Sequence, residues 1–175
     1  MNGDNAGFFA IGTLAIVLLF FGMRSFDSDG NFTVGRGSGI KPPAVLIDPG
    51  GTRELFIAPS QSGSYETQVR LNGENIDMLV DTGASFVTIR QSDANRAGLI
   101  VSDRDFRHRF STANGEVFAA QANAASLAIG PAVLNDVTVF VLPDEKLDIG
   151  LLGMDALNRF GRMEMTDGGL RLSVE

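Results

Sequence analysis

From residue 65 the chain alternates. Tyr65, Thr67, Val69 and Leu71 are separated by Glu66, Gln68 and Arg70, the period-2 pattern of a strand with one buried face. Asn72-Gly73 comes next, a pair suited to the left-handed dihedrals of a two-residue hairpin turn. Ile76, Met78 and Val80 resume the alternation, so the second arm of a hairpin is predicted to end at Asp81. Phe86, Val87, Thr88 and Ile89 form another short β-rich run. Ser92 and Asp93 stand where a short helix through Ala94, Asn95, Arg96 and Ala97 would be capped, with Gly98 as its stop. A second hairpin is predicted around Asn114-Gly115, between β-rich residues 110–112 and 116–119. A last one spans residues 162–174 around Asp167-Gly168-Gly169.

The N-terminal third reads differently. Residues 6–23 are uncharged and mostly apolar, including Phe8, Phe9, Ile11, Leu14, Ile16, Val17, Leu18, Leu19, Phe20 and Phe21. As a helix they would span roughly 27 Å, close to the ~30 Å hydrocarbon core of a bilayer. A transmembrane anchor is expected there, after a tail of residues 1–5. A cleaved signal peptide fits less well, because residues 1–5 lack the usual positive charges and no small-x-small site precedes Asp27. Residues 24–51 turn to Gly, Ser, Asp and Pro and have no apolar period, so they read as a flexible linker. Within it, Val45-Leu46-Ile47 is long enough for a short docking strand. That leaves residues 52–175 as one domain, a usual domain size.

Composition narrows the chemistry. The chain has 21 glycines, no cysteine, one histidine and a net charge of −7. Abundant turn residues with little helical periodicity beyond residue 23 fit an all-β domain. Without cysteine there is neither a disulfide framework nor a thiol nucleophile. No metal site or cofactor is expected, since a transition-metal site would have to be built from carboxylates and no spacing suggests one. The acidic balance and the lack of a Gly-rich phosphate loop argue against a nucleic-acid partner.

The candidate chemistry lies at Leu79-Val80-Asp81-Thr82-Gly83-Ala84-Ser85, where an apolar strand runs into Asp-Thr-Gly. An aspartate there sits at the far end of a hairpin strand, where the apolar run stops and the backbone must turn. Asp-Thr-Gly occurs once in the chain. Acid-base catalysis by paired carboxylates needs two groups sharing one proton, so a single copy implies two chains.

Four segments together resemble the retropepsin-like aspartic proteases, specifically their membrane-anchored bacterial members. They are Asn72-Gly73 leading into Asp81-Thr82-Gly83-Ala84-Ser85; residues 111–117, similar to a flap hairpin with Ala113, Asn114 and Gly115 at its tip; residues 147–154, with Leu151-Leu152-Gly153 ahead of a short helix; and the last hairpin. The resemblance covers residues 52–175. It implies an all-β, retropepsin-like acid protease half-barrel with one short helix, homodimeric and preceded by the transmembrane helix. By that likeness Asp81 of each subunit is catalytic, and Thr82 bonds across the two-fold axis. Gly83 supplies a dihedral that larger residues avoid. Ala84 matches the retroviral type rather than the Ser of pepsin-like enzymes.

The substrate implied is a membrane or periplasmic protein, cleaved by the chain paired with itself. On orientation the signals conflict. Arg24, Arg36 and Lys41 follow the span, which by the positive-inside rule would keep the domain in the cytoplasm. The resemblance places it in the periplasm, on a bacterial inner membrane; Asp27 and Asp29 dilute the charge bias, so the periplasmic orientation is the one expected. The alternative function is a catalytically silent β-barrel of the same fold, acting as a binding or assembly module at the membrane.

Other polar residues have plainer readings. His108, between Arg107 and Arg109, is expected on a solvated strand face, Asp155 at a helix start where it complements the dipole, and Asp148 before a glycine-bounded strand.

Overall fold

The computed structural model describes residues 39–47, 53–112, 115–166 and 168–174. The expected span at 6–23 and most of the linker at 24–51 lie outside the described residues. Among those described, no helix is long and apolar enough to cross a membrane.

Among the described residues eleven strands and two short α-helices follow in order, with 3-10 turns at Asp103–Asp105 and Asp144–Lys146. The expected first hairpin is β3 (Glu66–Leu71) and β4 (Glu74–Val80), joined by Asn72 at φ +49° and Gly73 at φ +92°. β5 (Val87–Arg90) comes next, then α1 (Gln91–Arg96). β6 (Phe106–Thr112) and β7 (Gly115–Ile129) form the second hairpin, and β7 folds back on β8 (Ala132–Leu142). β9 (Gly150–Leu152) leads into α2 (Met154–Phe160), one residue before the expected start at Asp155. The last hairpin is β10 (Gly161–Thr166) and β11 (Gly169–Val174).

One sheet runs β3-β4-β9-β5-β8-β7-β6, and β3 also meets β7 through Arg70↔Ala128 and Leu71↔Leu127. The half-barrel expected from the resemblance is therefore closed into a ring within one chain, with β6 outside it on β7. Asn72 helps to close it. Its N–H donates to Ser126 O at 2.9 Å, its Oδ1 accepts the Ser126 N–H, and its Nδ2 donates to Ala97 O at the end of α1. The ring encloses the main core, in which Leu71, Ile76, Met78, Ile89, Leu127 and Ile129 are fully buried.

A second sheet runs β1-β2-β11-β10, where β1 is Ala44–Ile47 and β2 is Arg53–Ile57. The docking strand expected at Val45-Leu46-Ile47 is thus β1, paired antiparallel with β2. Leu55, Leu170 and Leu172 carry this sheet onto the main core.

α1 departs from expectation at its N-terminus. It starts at Gln91, and neither Ser92 nor Asp93 caps it. The Ser92 N–H instead donates to Asp144 Oδ1 at 2.9 Å. The Asp93 side chain folds inward between two guanidinium groups: Arg90 Nε at 2.7 Å and Arg96 Nη1 at 3.0 Å. That environment lets the carboxylate be fully buried, because charge-assisted bonds offset its desolvation. The same carboxylate holds the Arg90 guanidinium above its ordinary pKa.

Candidate active site

The candidate site is where β4 and β9 end side by side. They run parallel, with Leu79 opposite Leu151 and Val80 opposite Leu152, so Asp-Thr-Gly and Leu-Leu-Gly leave the barrel at the same end. The Asp81 N–H donates to Leu152 O at 3.1 Å and extends that pairing by one residue. Beyond it the two turns continue together. The Met154 N–H donates to Ala84 O at 2.8 Å and the Asp155 N–H to Ser85 O at 3.0 Å.

Gly153 makes this approach possible. A Cβ there would fall onto the backbone of Phe86, 2.6 Å from its carbonyl carbon and 2.7 Å from its nitrogen. Only a residue without a side chain permits that spacing.

Asp81 is 3% exposed. The Gly83 N–H donates to its Oδ1 at 2.8 Å, and the Ala84 N–H to its backbone carbonyl at 3.2 Å. No other donor among the described residues reaches its carboxylate. Gly83 does not have positive φ; what the turn draws from it is this N–H, not the special dihedral expected. Thr82 is exposed, Gly83 and Ser85 half-buried, and Ala84 buried.

An aromatic cluster adjoins the turn. Ala84 and Leu151 belong to a second, smaller core with Phe110, Val117, Ala119, Phe140 and Leu142, against which Leu79, Phe86 and Leu147 pack. The Phe86, Phe110 and Phe140 rings meet at tilted or edge-on angles, with centroids 4.8 to 6.2 Å apart, the geometry aromatic quadrupoles favour. Through Phe110 and Val117 this cluster joins the β6–β7 hairpin to the Asp-Thr-Gly turn. Thr112 faces Gly115 in register, and its hydroxyl donates to Gly115 O at 2.7 Å. Ala113 and Asn114 lie outside the described residues. His108 is exposed on β6, as expected, with its ring edge-on to Phe140.

Sequence reasoning missed the role of Asp155. Besides opening α2, its Oδ1 accepts N–H groups from Val87 at 3.0 Å and Ala156 at 2.7 Å. Burial pushes this carboxyl above the usual range, opposed by those two donors and by Arg159. Its only trace in the sequence is an acidic residue two positions after Gly153; the bond to Val87 spans 68 positions and no local window contains it. A groove of about 600 Å³ between residues 39–44, residues 56–61 and Glu66 contains none of the turn residues.

A family model described as "gag-polyprotein putative aspartyl protease" matches residues 67–159, just over half of the chain. The chain belongs to the retropepsin-like aspartic protease family. The matched span includes the Asp-Thr-Gly turn, the β6–β7 hairpin and Leu-Leu-Gly. A retropepsin-like aspartic protease from Rickettsia conorii is 30% identical and superposes with a TM-score of 0.62, over 75% of this chain and 95% of that one.

Two curated relatives are uncharacterised proteins. One, from the cobV 5′ region of a Sinorhizobium species, is 34% identical over 128 residues, 73% of this chain and 55% of the relative. The other, from Rickettsia prowazekii (strain Madrid E), is 36% identical over 107 residues, 61% of this chain and 46% of the relative. The chain spans about half the length of these relatives.

Proposed function

We propose that the chain is one half of an aspartic endopeptidase in which Asp81 of two identical subunits shares a proton and activates one water. The observation carrying this reading is the buried Asp81 carboxylate at the end of β4, held by the Gly83 N–H on the turn that runs beside Leu-Leu-Gly. Like charges a few ångström apart do not both ionise, so two such carboxylates facing each other across a two-fold axis hold one proton between them. The ionised Asp81 takes a proton from water as its oxygen attacks the scissile carbonyl carbon. The protonated one donates to the carbonyl oxygen, giving a gem-diol. When that collapses, the now ionised carboxylate takes a proton from one diol hydroxyl, the other carboxyl gives its proton to the amine nitrogen and the C–N bond breaks, which leaves the pair with one proton again.

Neighbouring residues support these roles. The exposed Thr82 is available for a bond across the axis, Gly83 holds Asp81, and the buried Ala84 offers an apolar wall. Leu151, Leu152 and Gly153 fix the turn from below. The hairpin bearing Ala113, Asn114 and Gly115 serves as the flap, closing over an extended peptide and excluding water. The apolar run 6–23 anchors the subunit in a bacterial inner membrane with the protease domain in the periplasm, where membrane or periplasmic proteins are substrates. Confinement to a membrane raises the effective concentration of each subunit for the other.

The test compares membrane and periplasmic proteomes of cells carrying wild-type or Asp81→Asn protein, alongside peptide hydrolysis by the purified chains. Asp81→Asn is expected to lower turnover by roughly 10³-fold and to leave a precursor uncleaved. Equal hydrolysis by both proteins would reject the reading in favour of a binding module.

A further inference from the structure

From Gly39 the chain runs along the base of the domain. The Lys41 carbonyl accepts the Gln68 N–H at 3.3 Å. Pro43 and Val45 come within 4 Å of where a Cβ on Gly130 would stand, in the turn between β7 and β8. We infer that this base docks on an anionic bilayer surface, with Val45, Ile47 and Val133 entering the interface and Lys41, Arg53 and Arg70 meeting lipid phosphates. The inference rests on the reading of residues 6–23 as an anchor.

Every residue of β1 is exposed, Val45 to 48% and Ile47 to 71%. Directly opposed residues of paired strands share a face. Val45 stands opposite the buried Leu55, and Ile47 opposite Arg53, so both lie on the core side of the sheet, past what the core covers. Beyond the Gly130 turn Val133 is 53% exposed. It ends a row, Arg70-Ala128-Val133, that crosses three strands.

Bases flank this apolar stripe. Lys41, Arg53 and Arg70 are exposed, and none forms an ion pair among the described residues, although the chain has a net charge of −7. Glu54, the one acidic residue of β1 and β2, is on the opposite face with Leu46 and pairs with Arg171. Asp77, on the Arg70 face of β4, accepts from Gln68 Nε2 at 3.3 Å. Apolar side chains edged with bases match an anionic headgroup layer. They suit a second copy poorly, since a symmetric pairing brings bases against bases.

The tether agrees in length and in where it ends. Residues 24–38 separate the apolar run from Gly39, and as a Gly- and Ser-rich coil they would reach roughly 21 Å. An anchored domain is thus kept near lipid and is held by its base. The open edge of β1 limits the depth: unpaired backbone groups stay at the hydrated headgroup level, and only side chains enter. The 15 residues of β7 lead from the β6–β7 hairpin to this base, so docking turns the hairpin away from the bilayer.

The chain has no tryptophan, so an introduced one reports its own surroundings. The 175-residue protein carrying Ile47→Trp or Val133→Trp is reconstituted in vesicles of phosphatidylethanolamine and phosphatidylglycerol whose acyl chains carry bromine, a quencher, near the headgroup. Phe118→Trp, exposed on β7 toward the hairpin, is the control. Flotation with the vesicles reports the anchor. Quenching at 47 and 133 with none at 118 is expected. Arg53→Gln and Arg70→Gln should each lower the docked-to-free ratio about fivefold.

A protein that floats but is not quenched at 47 overturns the docking and leaves the anchor standing. So does equal quenching at all three positions, or quenching that both glutamine variants leave unchanged. Blue-shifted but unquenched emission at 47 means that protein covers the stripe, and rejects lipid as its occupant. A protein that does not float loses the anchor, and this inference with it.

Discussion

The carboxylate of Asp155 accepts the N–H of Val87 at 3.0 Å, across 68 positions of sequence. It thereby braces the first residue of β5 against the start of α2, just behind the Asp-Thr-Gly turn. Burial raises its pKa, so the folded chain holds the proton to higher pH than the unfolded chain does. Its stabilising contribution is complete below the ordinary carboxyl value and is lost as pH rises through the raised one. Asp155→Asn keeps an acceptor for both N–H groups and never ionises. Melting temperatures measured from about pH 3 to about pH 8 should therefore decline less on the alkaline side for the variant. Parallel curves would exclude titration of Asp155 as a contributor.

Gly153→Ala should destabilise the domain by about 3 kcal/mol, because the added methyl meets backbone that cannot rotate away. Gly168→Ala is the matched control, since a Cβ there meets nothing within 4 Å, and it should change stability by less than about 1 kcal/mol. Urea denaturation of both variants measures the contrast. A tolerated Gly153→Ala would mean that the two turns separate easily.

Asp93→Asn removes the charge from bonds to both Arg90 and Arg96 while keeping the volume. A loss of about 2 kcal/mol is expected. Arg90 also donates to Asp148 O, just before β9, so hydrogen exchange at residues 148–152 should quicken in the variant. Unchanged exchange there would confine the network to α1.

Mixed subunits test the shared site. If wild-type and Asp81→Asn chains exchange freely in equal amounts, only about a quarter of dimers have two carboxylates. Activity per wild-type chain should fall by about half, measured by titrating the variant into a fixed amount of wild type. No inhibition at large excess would mean that each chain works alone.

Much of this fold was legible because its signals are local. Asn72-Gly73 between alternating strands, and Gly153 after two leucines, each fix a backbone conformation within a few residues. The long β7 was not. Ala119, Ala120, Ala124 and Ala128 favour helix by intrinsic propensity, yet they form the buried positions of a strand between β6, β8 and β3. Small side chains fit there because three strands crowd the same space, a constraint no window of sequence contains. Ring closure escaped notice for a similar reason: it depends on Asn72 reaching Ser126. The site divides along the same line. Asp81, Thr82 and Gly83 stand out as a word in the chain, whereas the Asp155 brace exists only once β5 and α2 are neighbours.

β2 and β11 lie side by side although Glu54 and Arg171, joined at 3.0 Å, are 117 positions apart. This has a bearing on time. During synthesis β1 and β2 can form a hairpin early, but one flank of β2 stays bare until the whole barrel has been made and α2 has turned the chain back. Closing so long a loop is slow, and a bare strand edge invites wrong partners meanwhile. The barrel can mature first; the second sheet is finished last, so the domain keeps an open flank on β2 until its final strand has been made.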